Sequence, residues 1–208
     1  MTARLLHVSD RGVLNLLFGA ISSGESVVIP TETIWGLTAN ALDDEAVRGL
    51  YEIKGRSMEK VSAIFLPSIE SISRYGEIEF KYAEKIINHY LPGPLTIVLR
   101  SKVVSWRGVV GGDGKIGIRV SSDSFVRNLA ERIGKPLIAT SANRSGMPDC
   151  GDLETLRGQF AELVPYLVYR DISVNNEPST VVDLSGNSPI ILREGAIAGK
   201  EILTFLKQ

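Results

Sequence analysis

Short apolar runs alternate along the chain with stretches in which apolar residues recur at helical spacing. Runs of about four to eight aliphatic and β-branched residues predict strands, and the spaced pattern predicts amphipathic helices. The predicted strands are Ser26–Pro30, Trp35–Ala39, Val61–Leu66, Leu95–Arg100, Lys115–Val120, Pro136–Thr140, Thr180–Leu184 and Ile190–Arg193. The predicted helices are Val13–Ile21, Glu79–Tyr90, Ser122–Ile133, Leu153–Leu163 and one that starts after Asp43 and ends near Lys54.

This alternation of helices and strands predicts an α/β fold with one twisted, open, mixed sheet flanked by helices. The turn-rich middle and the two closely spaced late strands favour some antiparallel pairing. We interpret Trp35–Ala39 as a continuation of the first strand after a polar interruption, and Ser9 and Asp10 as caps of the first helix. We expect a single domain over residues 1–208, with its most mobile loop at Asn175–Pro178.

Composition and charge narrow the class of protein. The chain has 23 Lys and Arg against 24 Asp and Glu, so its net charge of −1 supplies no global field for sequence-independent nucleic-acid binding. One cysteine, Cys150, and two histidines, His7 and His89, leave no metal-ligand set at recognised spacing. No run reaches the roughly 18 apolar residues of a membrane span. We therefore expect a cytoplasmic protein without a membrane segment or a dedicated metal site.

Two apparent motifs predict no site. Gly112–Gly117 matches the dinucleotide pattern GxGxxG but precedes a strand instead of opening a helix. Lys115 is followed by Ile116, where a phosphate loop needs Ser or Thr, so we interpret this stretch as a tight turn. His89 lies on a predicted helix, far in sequence from any Ser-Gly elbow, and we expect it at the solvated edge of the core.

Polar residues stand instead at the ends of predicted elements: PTETIWGL (Pro30–Leu37) and ATSANRSG (Ala139–Gly146) at strand ends, and KGR (Lys54–Arg56) at the carboxyl end of a helix. Ligands of open α/β sheets bind beyond the carboxyl ends of the strands, so these segments predict a small-molecule site. Taken alone, the Ser and Asn of the third segment would more often be helix caps.

Five Lys and Arg residues strengthen the prediction of a small-molecule binding site. Each stands at or just beyond the end of an apolar run, and several cations directed into one crevice suit a nucleoside triphosphate. The set consists of Lys54, Arg56, Arg100, Arg119 and Arg193.

Seven segments, in this order, resemble the threonylcarbamoyl-AMP synthase family with its YrdC-like domain. They are Pro30–Leu37, Lys54–Arg56, Pro92–Thr96, Ile118–Val120, Thr140–Gly146, Ser179–Asp183 and Leu192–Ile197. The resemblance implies a YrdC-like fold with a concave basic cavity. It also implies an ATP-dependent nucleotidyl transfer that joins L-threonine and bicarbonate into threonylcarbamoyl-AMP, releases pyrophosphate, and serves threonylcarbamoyladenosine modification of tRNA.

The resemblance also implies roles for individual residues. L-threonine would be bound by Thr33, Arg100, Ser141 and Ser179. ATP would be bound by Lys54, Arg56, Lys60, Thr96, Arg119, Asn143 and Arg193. Mg²⁺ would enter with the ATP phosphates, no residue is assigned as an acid or base, and tRNA-modification proteins are candidate partners. The chain would be a minimal, single-domain member.

The chain departs from the family pattern after KGR. Many members continue with proline and then Asn-Pro-Leu, whereas this chain has Ser57 and then Lys60-Val61-Ser62. Phe65 stands where some members carry histidine, and Trp35 replaces a common tyrosine. Two alternatives stay open: a paralogue that acts on carbamoyl-adenylate, and a non-catalytic protein that binds tRNA or double-stranded RNA.

Overall fold

The computed structural model describes residues 2–171 and 177–207, and its strands join into one sheet. The strands of these ranges are β1 (Arg4–His7), β2 (Val27–Ile29), β3 (Gly36–Asn40), β4 (Ala63–Phe65), β5 (Gly76–Glu77), β6 (Leu95–Ser101), β7 (Lys115–Arg119), β8 (Leu137–Ser141), β9 (Tyr166–Tyr169), β10 (Thr180–Asp183) and β11 (Ile190–Arg193). The helices are α1 (Val13–Ser22), α2 (Asp44–Lys54), α3 (Lys81–Tyr90), α4 (Ser124–Ile133), α5 (Leu153–Phe160) and α6 (Gly199–Phe205), with a 3₁₀ helix at Ile69–Arg74. None of the helices in the described ranges has both the length and the apolar character needed to span a membrane.

The sheet is mixed, as predicted. Its strand order is β1-β9-β2-β3-β8-β4-β7-β6-β10-β11, and β5 pairs with the end of β6. The pairs β1–β9, β2–β9, β4–β7 and β6–β10 are parallel, and the other pairs are antiparallel. The predicted α/β class is therefore confirmed.

The interpretation of Trp35–Ala39 as a continuation of the first strand is wrong. The chain reverses after β2, and β3 pairs antiparallel with it in the register Val28 to Leu37. The Thr31 hydroxyl builds the reversal, because it accepts a hydrogen bond from the Thr33 backbone N–H and donates one to the Ile34 carbonyl. A side-chain turn of this kind leaves no trace in a hydrophobic pattern.

Helix ends match the sequence prediction at α2 but not at α1. The Asp43 carboxylate caps α2 by accepting hydrogen bonds from the backbone N–H groups of residues 45 and 46. Gly55 ends that helix in the left-handed conformation, with a φ of 64°. Helix α1 has no side-chain cap, because Asp10 accepts instead from the His7 backbone N–H.

Several elements were not predicted: β1, β5, β9, α6 and the 3₁₀ helix. Strands β1 and β9 are short, and they pair with each other in parallel at one edge of the sheet. Their runs of two or three apolar residues give little periodic signal. The predicted mobile loop Asn175–Pro178 lies partly outside the described residues.

Two hydrophobic clusters pack on opposite faces of the sheet. The larger contains the buried sides of α2, α3, α5 and α6, and the smaller contains those of α1 and α4. On β6, Ile97 and Leu99 belong to the larger cluster, whereas Thr96 and Val98 face a cavity on the other side. Helices α1 and α4 thus cover only part of their face and leave the sheet exposed over β4, β7, β6 and β10.

The central hairpin supplies a test of the core. Leu37 on β3 is fully buried, whereas Leu42 is 54% exposed just beyond the same strand. We expect Leu37→Ala to lower the free energy of unfolding by about 2–5 kcal/mol, because it leaves a cavity in a packed core. The matched change Leu42→Ala should stay within about 0.5 kcal/mol of the parent in the same denaturant titration. Equal effects of the two changes would contradict the assigned core.

Candidate active site

The uncovered part of the sheet forms the floor of a cavity of about 510 Å³. That volume lies within the roughly 300–1,000 Å³ of small-molecule sites. Its floor is flat at Gly117, where an added Cβ would lie 3.2 Å from the Ala63 Cβ. Residues predicted from the sequence that line it are Thr33, Arg56, Thr96, Arg119, Ser141, Ser179 and Arg193.

Lys54 stands behind this lining and holds two of its motifs together. Its side chain is 3% exposed, and the ammonium donates to the Ser141 carbonyl, to the Ser141 Oγ at 3.0 Å and to the Asn143 Oδ1. The Ser141 hydroxyl also donates to Asn143 Oδ1 at 2.6 Å. Ser141 and Asn143 therefore orient around a buried cation and are not helix caps.

The pKa of Lys54 is lowered to about 8, mainly by burial and also by the nearby Arg56 cation. An ammonium that has lost its hydration is less favourable, so the proton is held less tightly than on an exposed lysine. The charge of this network therefore depends on pH close to neutrality.

Three arginines converge on the cavity from different elements. Arg56 follows α2, Arg119 ends β7 and Arg193 ends β11, and all three line the cavity. Burial lowers the pKa of the Arg193 guanidinium, and the Arg119 and Arg56 cations lower it further. Cations close enough to affect one another in this way form a strong anion-binding site.

A buried ion pair fixes Arg119 at one end of the cavity. Its Nη2 lies 3.1 Å from Glu32 Oε1 and donates to Thr33 Oγ1 at 2.8 Å. Glu32 is held in turn by the Ser121 hydroxyl and the Ser122 backbone N–H. Burial lowers the pKa of Arg119, and its Nε has no hydrogen-bond partner among the described residues. The guanidinium is thus held in a fixed orientation at the edge of the cavity that Arg119 lines.

A second cluster of hydrogen-bonded polar side chains lies where β6, β10 and β11 meet the cavity. The Thr96 and Ser179 hydroxyls share a hydrogen bond of 2.8 Å, and Arg193 donates through Nη2 to the Ser179 carbonyl at 2.7 Å and to its Oγ at 3.2 Å. Thr96 and Ser179 are both almost fully buried. Strands β6 and β10 pair in parallel and bring these residues together, although 83 positions separate them.

Two predicted site residues lie outside the cavity lining. Arg100 is exposed on β6 and is not among the residues that line the cavity, although its register partner Lys115 is. Lys60 is exposed as well, and only its backbone carbonyl is used, as acceptor for the Tyr51 hydroxyl at 3.1 Å. Their assigned contacts with threonine and ATP stay predictions.

Three residues that depart from the family pattern, Ser62, Phe65 and Trp35, line the cavity. Ser62 lines the cavity and shares a hydrogen bond of 3.0 Å with the Tyr51 hydroxyl. Phe65 lies under Arg119, with the guanidinium carbon 5.3 Å from the ring centroid, so an aromatic ring adds a cation–π contact to this cation. Trp35 keeps an aromatic wall and donates to the Val168 carbonyl at 3.2 Å.

The turn predicted within Gly112–Gly117 is present, although Asp113, Lys115 and Gly117 of this stretch line the cavity, which the sequence did not predict. A tight turn precedes β7, in which the Gly114 N–H donates to the Gly111 carbonyl at 2.9 Å. His89 is exposed on α3 and stacks on Phe205, with the ring centroids 4.1 Å apart.

The sequence reasoning assigned no role to Glu32, Asp113, Lys115 and Asp183, although Glu32 contacts Arg119 and the other three line the cavity. All four lie inside segments quoted from the sequence, and the alternation of side chains along the strands is the signal that could have found them. On β7, Lys115, Gly117 and Arg119 are two positions apart and share one face, so a cavity at Arg119 includes Lys115.

Comparison with known proteins assigns the chain to a family. The profile of the Sua5/YciO/YrdC domain, described as telomere recombination, matches residues 19–195. The chain belongs to the Sua5/YciO/YrdC family. Among curated relatives, the threonylcarbamoyl-AMP synthase of Pyrococcus abyssi is 32% identical over 91% of this chain, which spans 56% of that protein. The putative threonylcarbamoyl-AMP synthase of Methanocaldococcus jannaschii is 34% identical over 89% of this chain and 86% of its own length.

Solved structures agree with this Sua5/YciO/YrdC assignment. P. abyssi Sua5 complexed with L-threonine superposes with a TM-score of 0.90 at 30% identity, covering 98% of this chain and 61% of that one. YciO of E. coli superposes with a TM-score of 0.84 over 93% of this chain and 96% of its own, but at 20% identity it supports the fold alone.

The titration of Lys54 predicts a pH-dependent site. The ammonium is present below its pKa of about 8 and is lost above it, which removes donors from Ser141 and Asn143. We expect affinity for a non-hydrolysable ATP analogue, measured calorimetrically, to fall about tenfold as pH rises through that value. Lys54→Met should bind weakly at every pH.

The matched change Lys85→Met, at an exposed position on α3, should keep the wild-type profile. Circular dichroism at each pH would establish that all variants stay folded. A wild-type affinity that is constant from pH 7 to about pH 9.5 would contradict this role of Lys54, whose pKa is lowered from the ordinary lysine value of 10.5 to about 8.

Proposed function

We propose that the chain is a threonylcarbamoyl-AMP synthase, which forms threonylcarbamoyl-AMP and pyrophosphate from L-threonine, bicarbonate and ATP. The observation that carries the proposal is the convergence of Arg56, Arg119 and Arg193 with hydroxyl groups in one cavity. The names of the curated relatives and the L-threonine complex of P. abyssi Sua5 support it. The product would serve tRNA modification in the cytoplasm.

The amino acid is proposed to bind at the Arg119 end of the cavity. A threonine carboxylate can accept from the guanidinium of Arg119, which lines the cavity. The Thr33 hydroxyl lies 2.8 Å from Arg119 Nη2 and can bond the ligand beside it. This placement gives Arg119 the contact that the resemblance assigned to Arg100. Ser141 and Ser179 line the same cavity and supply further hydroxyls.

The ATP phosphates are proposed to bind across Arg56 and Arg193. Both guanidinium groups line the cavity, and charge-assisted hydrogen bonds to phosphate are strong. Lys54 acts one layer behind, because its donors are already used by Ser141 and Asn143. Asn143 donates through Nδ2 to the Met147 carbonyl, so its orientation is fixed before a nucleotide arrives.

The chemistry needs orientation more than a catalytic base. The threonine amine captures carbon dioxide to give a carbamate, whose oxygen attacks the α-phosphorus of ATP in line as the bond to pyrophosphate breaks. Holding such reactants in attack geometry can lower a barrier by roughly 7–11 kcal/mol. Arg56 and Arg193 would stabilise charge on the transferring phosphoryl group and on the departing pyrophosphate.

Mg²⁺ is proposed to enter with ATP. Magnesium usually keeps several waters and binds through substrate phosphates, not through an all-protein cage. Within residues 2–171 and 177–207, no group of three His, Cys, Asp or Glu side chains is placed to hold a metal ion.

The direct test is an omission assay. Purified protein receives ATP, Mg²⁺, bicarbonate and L-threonine, and pyrophosphate is followed while each component is left out in turn. We expect release to require all of them, and mass spectrometry to find threonylcarbamoyl-AMP. Release without threonine would contradict the proposal, and turnover of carbamoyl phosphate would favour the carbamoyl-adenylate alternative. RNA binding with steep salt dependence and no nucleotide turnover would favour the non-catalytic alternative.

Thr33 supplies a test of the threonine end. Thr33→Val keeps the shape of the side chain but removes the acceptor of the Arg119 hydrogen bond. We expect the KM for threonine to rise about tenfold, equivalent to about 1.4 kcal/mol, with the KM for ATP unchanged. The control is Thr38→Val, at a fully buried residue of β3 whose hydroxyl donates to the Ile138 carbonyl. It should lower stability without changing either KM, and an unchanged threonine KM in Thr33→Val would remove Thr33 from the site.

A further inference from the structure

The buried hydroxyl of Tyr51 joins two loops beside the cavity. Tyr51 lies on α2 and is 2% exposed. Its Oη lies 2.7 Å from the Gly108 carbonyl oxygen, 3.0 Å from Ser62 Oγ and 3.1 Å from the Lys60 carbonyl oxygen. Residues 57–62 connect α2 to β4, and Gly108 belongs to the segment between β6 and β7. One hydroxyl group therefore holds both loops against the same helix.

The Tyr51 hydroxyl acts as a hydrogen-bond donor. Burial raises the pKa of Tyr51, and the Ser62 hydrogen bond and the Arg56 cation offset only part of this effect. The phenol therefore keeps its single proton at neutral pH, and the shortest of the three distances directs that proton to the Gly108 carbonyl. The same carbonyl accepts from the Ser62 backbone N–H at 2.9 Å. Ser62 is thus tied to Gly108 directly and also through Tyr51.

The close approach of the two loops requires glycine at position 108. Gly108 has a φ of 72°, and an added Cβ would lie 2.8 Å from Tyr51 Cε2 and 3.0 Å from Val47 Cγ1. A side chain would be strained in this conformation and would push the loop away from the Tyr51 hydroxyl. The backbone therefore packs directly on the side chains of α2.

Residues 57–62 contact the guanidinium of Arg56. Among the described residues, this guanidinium makes only long hydrogen bonds, from Nη1 to Thr140 Oγ1 and from Nη2 to the Val61 carbonyl, both of 3.5 Å. Bonds of this length are weak, so they do not fix the guanidinium by themselves. Val61 stands between the two residues whose oxygens contact the Tyr51 hydroxyl. Tyr51 thereby fixes the carbonyl that Arg56 faces.

Residues 57–62 contain no proline that would stiffen them. Many family members have proline after KGR and then Asn-Pro-Leu, whereas this chain has Ser57 and then Lys60-Val61-Ser62. A proline ring fixes φ, and a loop without one depends on its contacts to keep a single conformation. The hydrogen bond between Tyr51 and Ser62 is such a contact, and Ser62 is itself a departure from the family pattern.

We propose that Tyr51 is a positioning residue for the nucleotide, whose hydroxyl holds residues 57–62 in the conformation that directs Arg56 toward the ATP phosphates. The inference rests on the proposed function, because it concerns the arginine proposed to bind phosphate. Tyr51 does not line the cavity and acts through Arg56, Val61 and Ser62, which do. Because the loop is ordered before ATP arrives, less order has to be imposed on Arg56 when ATP binds.

The test measures the binding of a non-hydrolysable ATP analogue by calorimetry. Tyr51→Phe keeps the ring and removes the hydroxyl, and we expect its affinity for the analogue to fall about five- to tenfold. Its affinity for L-threonine should stay within about twofold of the parent. Ser62→Ala removes one partner of the hydroxyl and should weaken analogue binding by about threefold.

Tyr82→Phe is the matched control. The Tyr82 hydroxyl donates to the Gly186 carbonyl at 2.6 Å, and Tyr82 lies outside the cavity lining. This variant also loses a hydroxyl that bonds a backbone carbonyl, but it should keep the parent affinity for both ligands. Circular dichroism and thermal melting of every variant would show how much of any change is a loss of folding.

Arg56→Met separates positioning from a general loss of stability. Arg193 still lines the cavity in this variant, so analogue binding is weakened but measurable. In the Arg56→Met background, adding Tyr51→Phe should change the affinity by about twofold or less, because the residue through which Tyr51 acts is missing. The full five- to tenfold loss in that background would overturn the inference. So would an unchanged affinity in Tyr51→Phe or an equal loss in Tyr82→Phe.

Two further outcomes keep the inference open to refutation. If Tyr51→Phe fails to fold, an analogue affinity that Ser62→Ala leaves unchanged would overturn it. Threonine-dependent pyrophosphate release, combined with parent affinity in Tyr51→Phe, would overturn this inference alone. A loss of affinity in Tyr51→Phe that depends on Arg56, in a protein without threonine-dependent release, would overturn the proposed function and leave the inference standing.

Discussion

The buried ammonium of Lys54 is the interaction on which the site depends. A cation removed from water is costly unless acceptors replace its hydration shell, and Ser141 and Asn143 supply them. This requirement ties the end of α2 to the end of β8, two elements that lie 87 positions apart. The distance between Arg56 and the hydroxyl-bearing strands is therefore set by a cation that does not itself line the cavity.

The cavity exists because the sheet is wider than the helices that cover one of its faces. Helices α1 and α4 pack with Phe65 and Leu137 and leave the strands beyond them bare. The small residues Ala63 and Gly117 leave space above that uncovered part of the sheet, and long polar side chains line the sides of the space. An ion pair lies at each end of the cavity: Glu32 with Arg119 at one end, and Asp183 with Lys115 at the other.

Much of this arrangement could be predicted from the sequence, and the failures have physical causes. Most central strands and amphipathic helices have long periodic patterns, and motif order indicated which segments carry the chemistry. The reversal between β2 and β3 was missed because the Thr31 side chain makes it. The family resemblance assigned Arg100 and Lys60 to the site, whereas Lys115 was interpreted as part of a glycine-rich turn. The strand register pairs Arg100 with Lys115, so only the three-dimensional boundary of the cavity shows that Lys115 lines it and Arg100 does not.

Gly55 separates two cations that stand almost next to each other in the sequence. Its left-handed conformation, with a φ of 64°, ends α2 between them, so Lys54 turns into the protein and Arg56 turns toward the ligand. An L-amino acid with a side chain is strained in that conformation. The two charges are consequently exposed to different influences: added salt screens the outer one, whereas the inner one is sheltered from ions and responds to proton concentration.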